Sequence, residues 1–156
     1  MHVRLIAVGD NQPSWVDAAF SDYTARLPRH WKFRLDTIAT ANRKKSGSEV
    51  AAMKAEGRKI LANLKFSEYM VLLDERGQLI GSRALGSKVD DWQSSGRDLC
   101  FVIGGPDGVS AECEQRADFR WSLSTLTLPH GLARVLFAEQ LYRAWTLTQG
   151  HPYHRD

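Results

Sequence analysis

The chain has 156 residues and carries 21 Lys and Arg against 18 Asp and Glu, a net charge of +3. That length suits one domain with a substantial core and leaves little room for a second. No apolar run approaches the roughly 20 residues of a membrane span, and the opening "MHVRLIAVGD" lacks the features of a secretory signal, so a cytoplasmic protein is expected. Cys100 and Cys113 show neither a C-x-x-C pair nor metal-ligand spacing and read as buried thiols.

Taken in order, "HVRLIAVG" is a compact β-rich run. "PSWVDAAFSDYTARLP" follows with Ser14 as N-cap, then Trp15, Ala18, Ala19, Tyr23 and Leu27 at helical spacing and Pro28 as a stop. Arg29, His30, Lys32 and Arg34 form a basic cluster, within which "WKFRLDTI" alternates apolar and polar residues as a half-buried or edge strand does. The loop-like "ATANRKKSGS" holds a second basic block, Arg43 to Lys45. Either block could attract a polyanion, and solvated surface has the same composition.

A helix is expected from near Ser48, carrying Val50, Met53, Ile60 and Leu64. "YMVLLD" is apolar throughout, as a strand buried on both faces is. Leu85, Val89 and Trp92 fit a further helix, "DLCFVIGG" a second fully buried strand, "SAECEQRAD" a short helix and "FRWSLS" another strand. A long helix closes the chain from about Pro129 to Thr148. Strands alternating with helices predict an α/β fold, a mainly parallel sheet with helices on both faces. In such sheets ligands bind beyond the carboxyl ends of strands, which singles out the loops after Leu73, Ile103 and Ser124.

"VIGGPDG" places Gly104 and Gly105 directly after a buried strand, either for close approach of a ligand or simply for a tight strand-to-helix turn. It matches neither the dinucleotide nor the triphosphate glycine motif. "LSTLTLPHG" is apolar and hydroxyl-rich where loops are usually polar. Its main-chain groups between aliphatic walls suit a flat uncharged ring such as adenine, and a buried crossover has the same pattern. Asp74 and Glu75 in "LLDERGQ" could bind a ribose or act as bases, or be plain caps. The final helix is apolar over more than one face, as it would be against a partner subunit or under thick core cover. The ending "GHPYHRD" gathers His151, Tyr153, His154 and Arg155.

Together "VRLIAVG", "IGGPDG", "LTLPH", "EQLYRAW" and "HPYHR", in this order and spread from first residue to last, resemble the bacterial 23S ribosomal RNA methyltransferases that act on N3 of a pseudouridine, number 1915 in the family, a minimal branch of the SPOUT superfamily. The resemblance implies S-adenosylmethionine as cofactor, a carboxyl-terminal trefoil knot, a homodimer, and the ribosomal RNA of the assembled large subunit as substrate. It puts the cofactor on Leu73, Gly104, Gly105 and the segment Leu123, Ser124, Thr125, Leu126, Thr127 and Leu128, the three strand ends already singled out. Parity rules alone would have led to an unknotted sheet.

N3 of pseudouridine lies between two carbonyls and must lose a proton before or during attack, while the charge developing on the ring oxygens favours nearby donors. His130, Arg134, Tyr153, His154 and Arg155 are the candidates: Tyr153 to stack on or orient the base, His154 to accept the proton, Arg155 to bind phosphate or the developing anion. The tail is expected to order over the cofactor of the neighbouring subunit when substrate binds, without adding core contacts of its own. Two other classes compete: a noncatalytic ribosome-binding or assembly factor, and a hydrolase using Asp74, Glu75 and the histidines, which would need a metal. No metal site is expected.

Overall fold

A computed structural model describes residues 1–154. Five strands, β1 (Val3–Val8), β2 (Arg34–Ile38), β3 (Tyr69–Leu79), β4 (Leu99–Ile103) and β5 (Phe119–Ser122), form one sheet in the order β2-β1-β4-β3-β5. All four pairings are parallel. Six helices accompany them: α1 (Ser14–Thr24), α2 (Arg43–Ser46), α3 (Glu49–Asn63), α4 (Ser82–Ser95), α5 (Ala111–Arg116) and α6 (His130–Thr148).

β1 and β4 hold central places in the sheet, where every residue is buried, Arg4 of β1 included, and the uninterrupted apolar run of β4 follows from that place. Alternate side chains serve opposite faces. On one face Leu5, Val71, Phe101 and Ile103 pack with Phe20, Val89, Phe137 and Leu141 of α1, α4 and α6. The rings of Phe101 and Phe137 stand 4.8 Å apart at the centre of that layer. On the other face Ile6, Met70, Leu72 and Val102 meet Ile60 of α3 and Cys113 of α5. The breadth of apolar surface on α6 is used within the chain, because α6 packs on the sheet and between α1 and α4. Leu132 on α6 and Trp15 on α1 stay exposed.

Several boundaries depart from the sequence reading. Pro13, not Ser14, precedes α1, and no side chain caps it. Trp31 lies in a 3-10 turn with Arg29 and His30, so β2 begins only at Arg34. The basic block Arg43–Lys45 is helical, with Asn42 capping α2 by accepting the Lys45 N–H. Ser48 caps α3 as the sequence indicates, its hydroxyl accepting from Ala51 N–H at 3.0 Å.

The largest departure is in β3, which does not end at Leu73. Its pairing with β5 breaks there and resumes at Gln78, with both Leu73 and Gln78 opposite Trp121, so Asp74–Gly77 is extruded as a wide bulge. Gly77 makes the return possible: a Cβ there would lie 2.7 to 2.8 Å from the Arg120 and Trp121 backbone. Among the described residues no helix is long and apolar enough to cross a membrane.

Candidate active site

At the carboxyl ends of β3, β4 and β5 three connections enclose a cavity of about 710 Å³. They are the bulge Asp74–Arg76, the turn Gly104–Val109, and the passage Ser122–Leu128 that leads into α6. Of the nine residues expected to hold a cofactor, eight line this cavity: Leu73, Gly104, Gly105, Leu123, Ser124, Leu126, Thr127 and Leu128. Thr125 is exposed and does not.

The glycine turn is tighter than a cradle opened only for a ligand. A Cβ on Gly104 would meet Val109 Cγ1 at 2.5 Å and the Gly108 carbonyl oxygen at 2.8 Å, so a larger residue there would displace the turn itself rather than merely enter the ligand space. On Gly105 it would meet Glu56 Oε1 at 2.6 Å. Glu56 is a buried acid on α3 that accepts from the Ala41 N–H at 2.9 Å and from Arg43 Nη1. Arg43 reaches onward to Asp107 Oδ2 at 2.9 and 3.0 Å. One residue of the basic block therefore braces the turn after β4, a role invisible in the local sequence. Glu56 did leave a signal: it falls on the apolar stripe of α3, three residues after Met53 and four before Ile60.

His130, the first residue of α6, fastens the same turn. Its Nε2 lies 2.9 Å from the Gly105 carbonyl. A carbonyl only accepts, so Nε2 donates and is not the atom that could take a proton. Across the cavity Arg120 ion-pairs with Asp74, whose Oδ1 also accepts the Arg76 N–H at 2.9 Å. Burial disfavours the Asp74 carboxylate, but these bonds outweigh it and hold the carboxyl below the usual range. Asp74 is thus a braced anion beside the cavity, with Glu75 exposed next to it.

Arg134 does not face the cavity. It is buried beneath α6 and donates through Nη2 to the Gly9 carbonyl at 2.9 Å, leaving Nε without a hydrogen-bond partner among the described residues. Burial, against the attraction of Asp17, pulls the affinity of its guanidinium for a proton below the usual value.

Tyr153 and His154 form a 3-10 turn folded back on α6, and Arg155 lies outside the described residues. The Tyr153 ring packs tilted against that of Tyr142, centroids 4.6 Å apart, its hydroxyl donates to Glu139 Oε1 at 3.0 Å, and the Arg143 guanidinium stands 5.1 Å from its centre. Arg143 also donates to the His154 carbonyl at 3.4 Å and pairs with Glu139. The tail is therefore latched to its own helix, with real packing contacts, contrary to the expectation that it would add none. Burial, then the bond to Glu139, pushes the Tyr153 phenol up to about 12. At 1.5 Å of rise per residue, the α6 turn that holds Tyr153 lies roughly 18 Å from the cavity end of the helix. Within one chain the tail and the cavity are separate. Among the described residues no three His, Cys, Asp or Glu side chains gather as metal ligands.

A parallel sheet whose last strand passes through a cavity-lining segment into a long final helix, with a glycine turn and a main-chain-rich loop at the strand ends, is the architecture of a class of methyltransferases. The chain belongs to the SPOUT methyltransferase family: the description "Predicted SPOUT methyltransferase" matches residues 1–154. It is 47% identical over 158 aligned positions to the ribosomal RNA large subunit methyltransferase H of Teredinibacter turnerae, covering 99% of this chain and 100% of that protein. It is 44% identical over 156 residues, the full length of both, to the protein of the same name from Thioalkalivibrio sulfidiphilus. Among solved structures, a probable methylase family protein from Haemophilus influenzae shares the fold, with a TM-score of 0.56 and 12% identity over 99% of this chain and 70% of that one.

The family's methyl donor is S-adenosylmethionine, and the cavity fits it. Its volume lies in the range of small-molecule sites. Leu73, Ile103, Leu126 and Leu128 supply aliphatic walls. The N–H groups of Thr127 and Leu128 have no partner among the described residues, which leaves them for a ring edge. Asp74 and Glu75 lie where ribose hydroxyls or a cationic centre could be met.

Proposed function

We propose that this chain transfers the methyl group of S-adenosylmethionine to N3 of a pseudouridine in 23S ribosomal RNA, number 1915 in the family, on the assembled ribosome in the cytoplasm. The observation that carries the reading is the end-to-end similarity to relatives named for large-subunit ribosomal RNA methylation, which runs through the tail as well as the cavity loops. The whole chain then works as one domain, with the passage from β5 to α6 drawn through the preceding loops as a trefoil knot.

The separation of cavity and tail supports a homodimer in which Tyr153 and His154 of one chain complete the site of the other. Bound in the cavity, S-adenosylmethionine supplies an electrophilic methyl, so the chain's task is to bind, orient and move one proton. Tyr153, protonated at every physiological pH, orients the base or donates to a ring oxygen on which charge develops. His154 accepts the N3 proton, and Arg155 meets phosphate or the anion. Glu139 and Arg143 position Tyr153, while His130, Glu56 and Arg43 hold the glycine turn. Arg134 supports the β1 end from within.

The test is incubation of ribosomes lacking the modification with the protein and methyl-labelled S-adenosylmethionine, followed by mapping of the labelled nucleotide. Label at N3 of one pseudouridine is expected. Label elsewhere would overturn the substrate assignment; ribosome binding without any label would point to the noncatalytic factor.

A further inference from the structure

At the end of the sheet opposite the cavity, the loop between α3 and β3 presents Phe66 with 97% of its surface exposed. The loop is fastened from behind rather than loose. Arg116 donates to the Lys65, Phe66 and Glu68 carbonyls at 3.3, 3.5 and 2.8 Å. Arg97 donates to those of Ser67 and Glu68 at 3.1 and 2.9 Å. The Glu68 carboxylate accepts the Lys65 N–H at 2.8 Å and a bidentate bond from Arg4. Three guanidinium groups thus hold a backbone whose one large apolar side chain stays in solvent.

Lys65, the chain neighbour of Phe66, enters the wall of a groove of about 230 Å³ together with Arg4, Lys32 and Arg34. Of its two acids, Glu68 pairs with Arg4 and Asp98 accepts the His2 N–H, while Asp36, outside the groove, pairs with Arg4 and Arg34. Lys32 and Lys65 form no salt bridge among the described residues, although the Lys65 charge is felt by the Glu68 carboxylate, and Lys32 is set outward at a left-handed turn with φ 47°. An exposed flat ring on a rigid mount, close to exposed lysines that form no salt bridge among the described residues, has the composition of a single-strand RNA contact, in which an unstacked base lies on the ring and neighbouring phosphates meet the lysines. A protein partner would call for an apolar surface broader than one ring.

We propose that Phe66, Lys65 and Lys32 form a second RNA-binding site, where an unpaired base of the ribosomal RNA stacks on Phe66 and its flanking phosphates lie along the two lysines. This rests on the ribosomal RNA reading above. The five residues Tyr69–Leu73 of β3 separate this loop from the cavity by roughly 16 Å, so the contact helps a small protein hold a large substrate without touching the reacting groups.

The experiment compares full-length wild type with Phe66→Ala, Phe66→Trp and the pair Lys32→Ala/Lys65→Ala on unmodified ribosomes. Phe66→Ala should raise KM for ribosomes about tenfold, the loss of one stacked base, with kcat, S-adenosylmethionine affinity and Tm unchanged, and Phe66→Trp should restore it. The lysine pair should lower the salt dependence of log KM by about one to two phosphates' worth. In the ribosome complex, Phe66→p-benzoylphenylalanine should photo-crosslink to RNA. Crosslinking only to a ribosomal protein or to a second copy of the chain overturns the assignment, as does an unchanged KM in Phe66→Ala beside an active wild type. A wild type that leaves ribosomal RNA unlabelled removes the parent reading and this site with it.

Discussion

The carboxylate of Glu56 fills the space that a side chain at residue 105 would need, with Oε1 only 2.6 Å from where a Cβ would stand. The acid cannot step aside freely, because the Ala41 N–H and Arg43 both hold it. Gly105→Ala should therefore displace the turn toward the cavity. An overpacked contact of this kind costs about 1–3 kcal/mol. Calorimetry should show S-adenosylmethionine affinity down at least about tenfold, together with a lowered Tm; wild-type affinity would detach this turn from the cofactor site.

Arg43→Ala approaches the same turn from the other side. It strands the Glu56 carboxylate with a single backbone donor and frees Asp107. Because Arg43 is itself partly exposed, the expected loss is about 1–3 kcal/mol, below that of a fully buried pair. Cofactor affinity should fall with it, and Arg43→Lys should recover only part. Lys44→Ala, on an exposed neighbour, serves as the control and should change neither.

Deletion of Tyr153 to Asp156 removes the contact with Tyr142 and the bond to Glu139. A modest stability loss of about 1–2 kcal/mol is expected from the ring and its bond, with S-adenosylmethionine affinity preserved and methyl transfer abolished. Mixing the truncated chain with a Gly105→Ala chain, at an S-adenosylmethionine concentration too low for the Gly105→Ala chain to act alone, should recover activity if each site draws its tail from the other subunit. Failure of every mixture, with heterodimers shown to form, would return the tail to its own chain.

The Tyr153 phenol, pushed up to about 12 by burial and Glu139, contributes to stability in a defined alkaline window. In the unfolded chain a tyrosine loses its proton near 10. The unfolded state therefore binds fewer protons than the folded one between about 10 and 12, and this contribution, complete below 10, disappears as pH rises through that interval. Tyr153→Phe should flatten this part of a denaturation profile, which spectrophotometric titration of the phenol can check directly.

At acid pH the buried Arg4–Glu68 pair governs. Burial disfavours the Glu68 carboxylate, but Arg4 and the Lys65 N–H outweigh it and keep the carboxyl below its ordinary 4.5. The stabilisation is present above that value and is lost as pH falls through the lower folded one. Glu68→Gln, which leaves Arg4 with Asp36 as its ionic partner among the described residues, should cost about 3 kcal/mol near neutral pH. Its penalty should shrink in acid, as chemical denaturation across pH would reveal.

Much of this architecture is local and so can be read from the chain. The double-sided burial of β4 and of the first half of β3 left continuous apolar runs, the Ser48 cap announced α3, and the strand ends marked three loops as the place for a ligand. What escaped depends on residues distant in sequence. The bulge at Asp74–Gly77 exists because the β5 backbone comes within contact of Gly77. The basic block at Arg43 braces a turn some sixty positions away, and Tyr153 lies against α6 instead of waiting in solvent. Periodicity and capping determined which segments become strands and helices, since those energies come from near neighbours. Strand order, the pairing of each buried charge and the distance between tail and cavity were decided only by tertiary packing, because burial fixes a charge's partner only after the sheet has brought the two together.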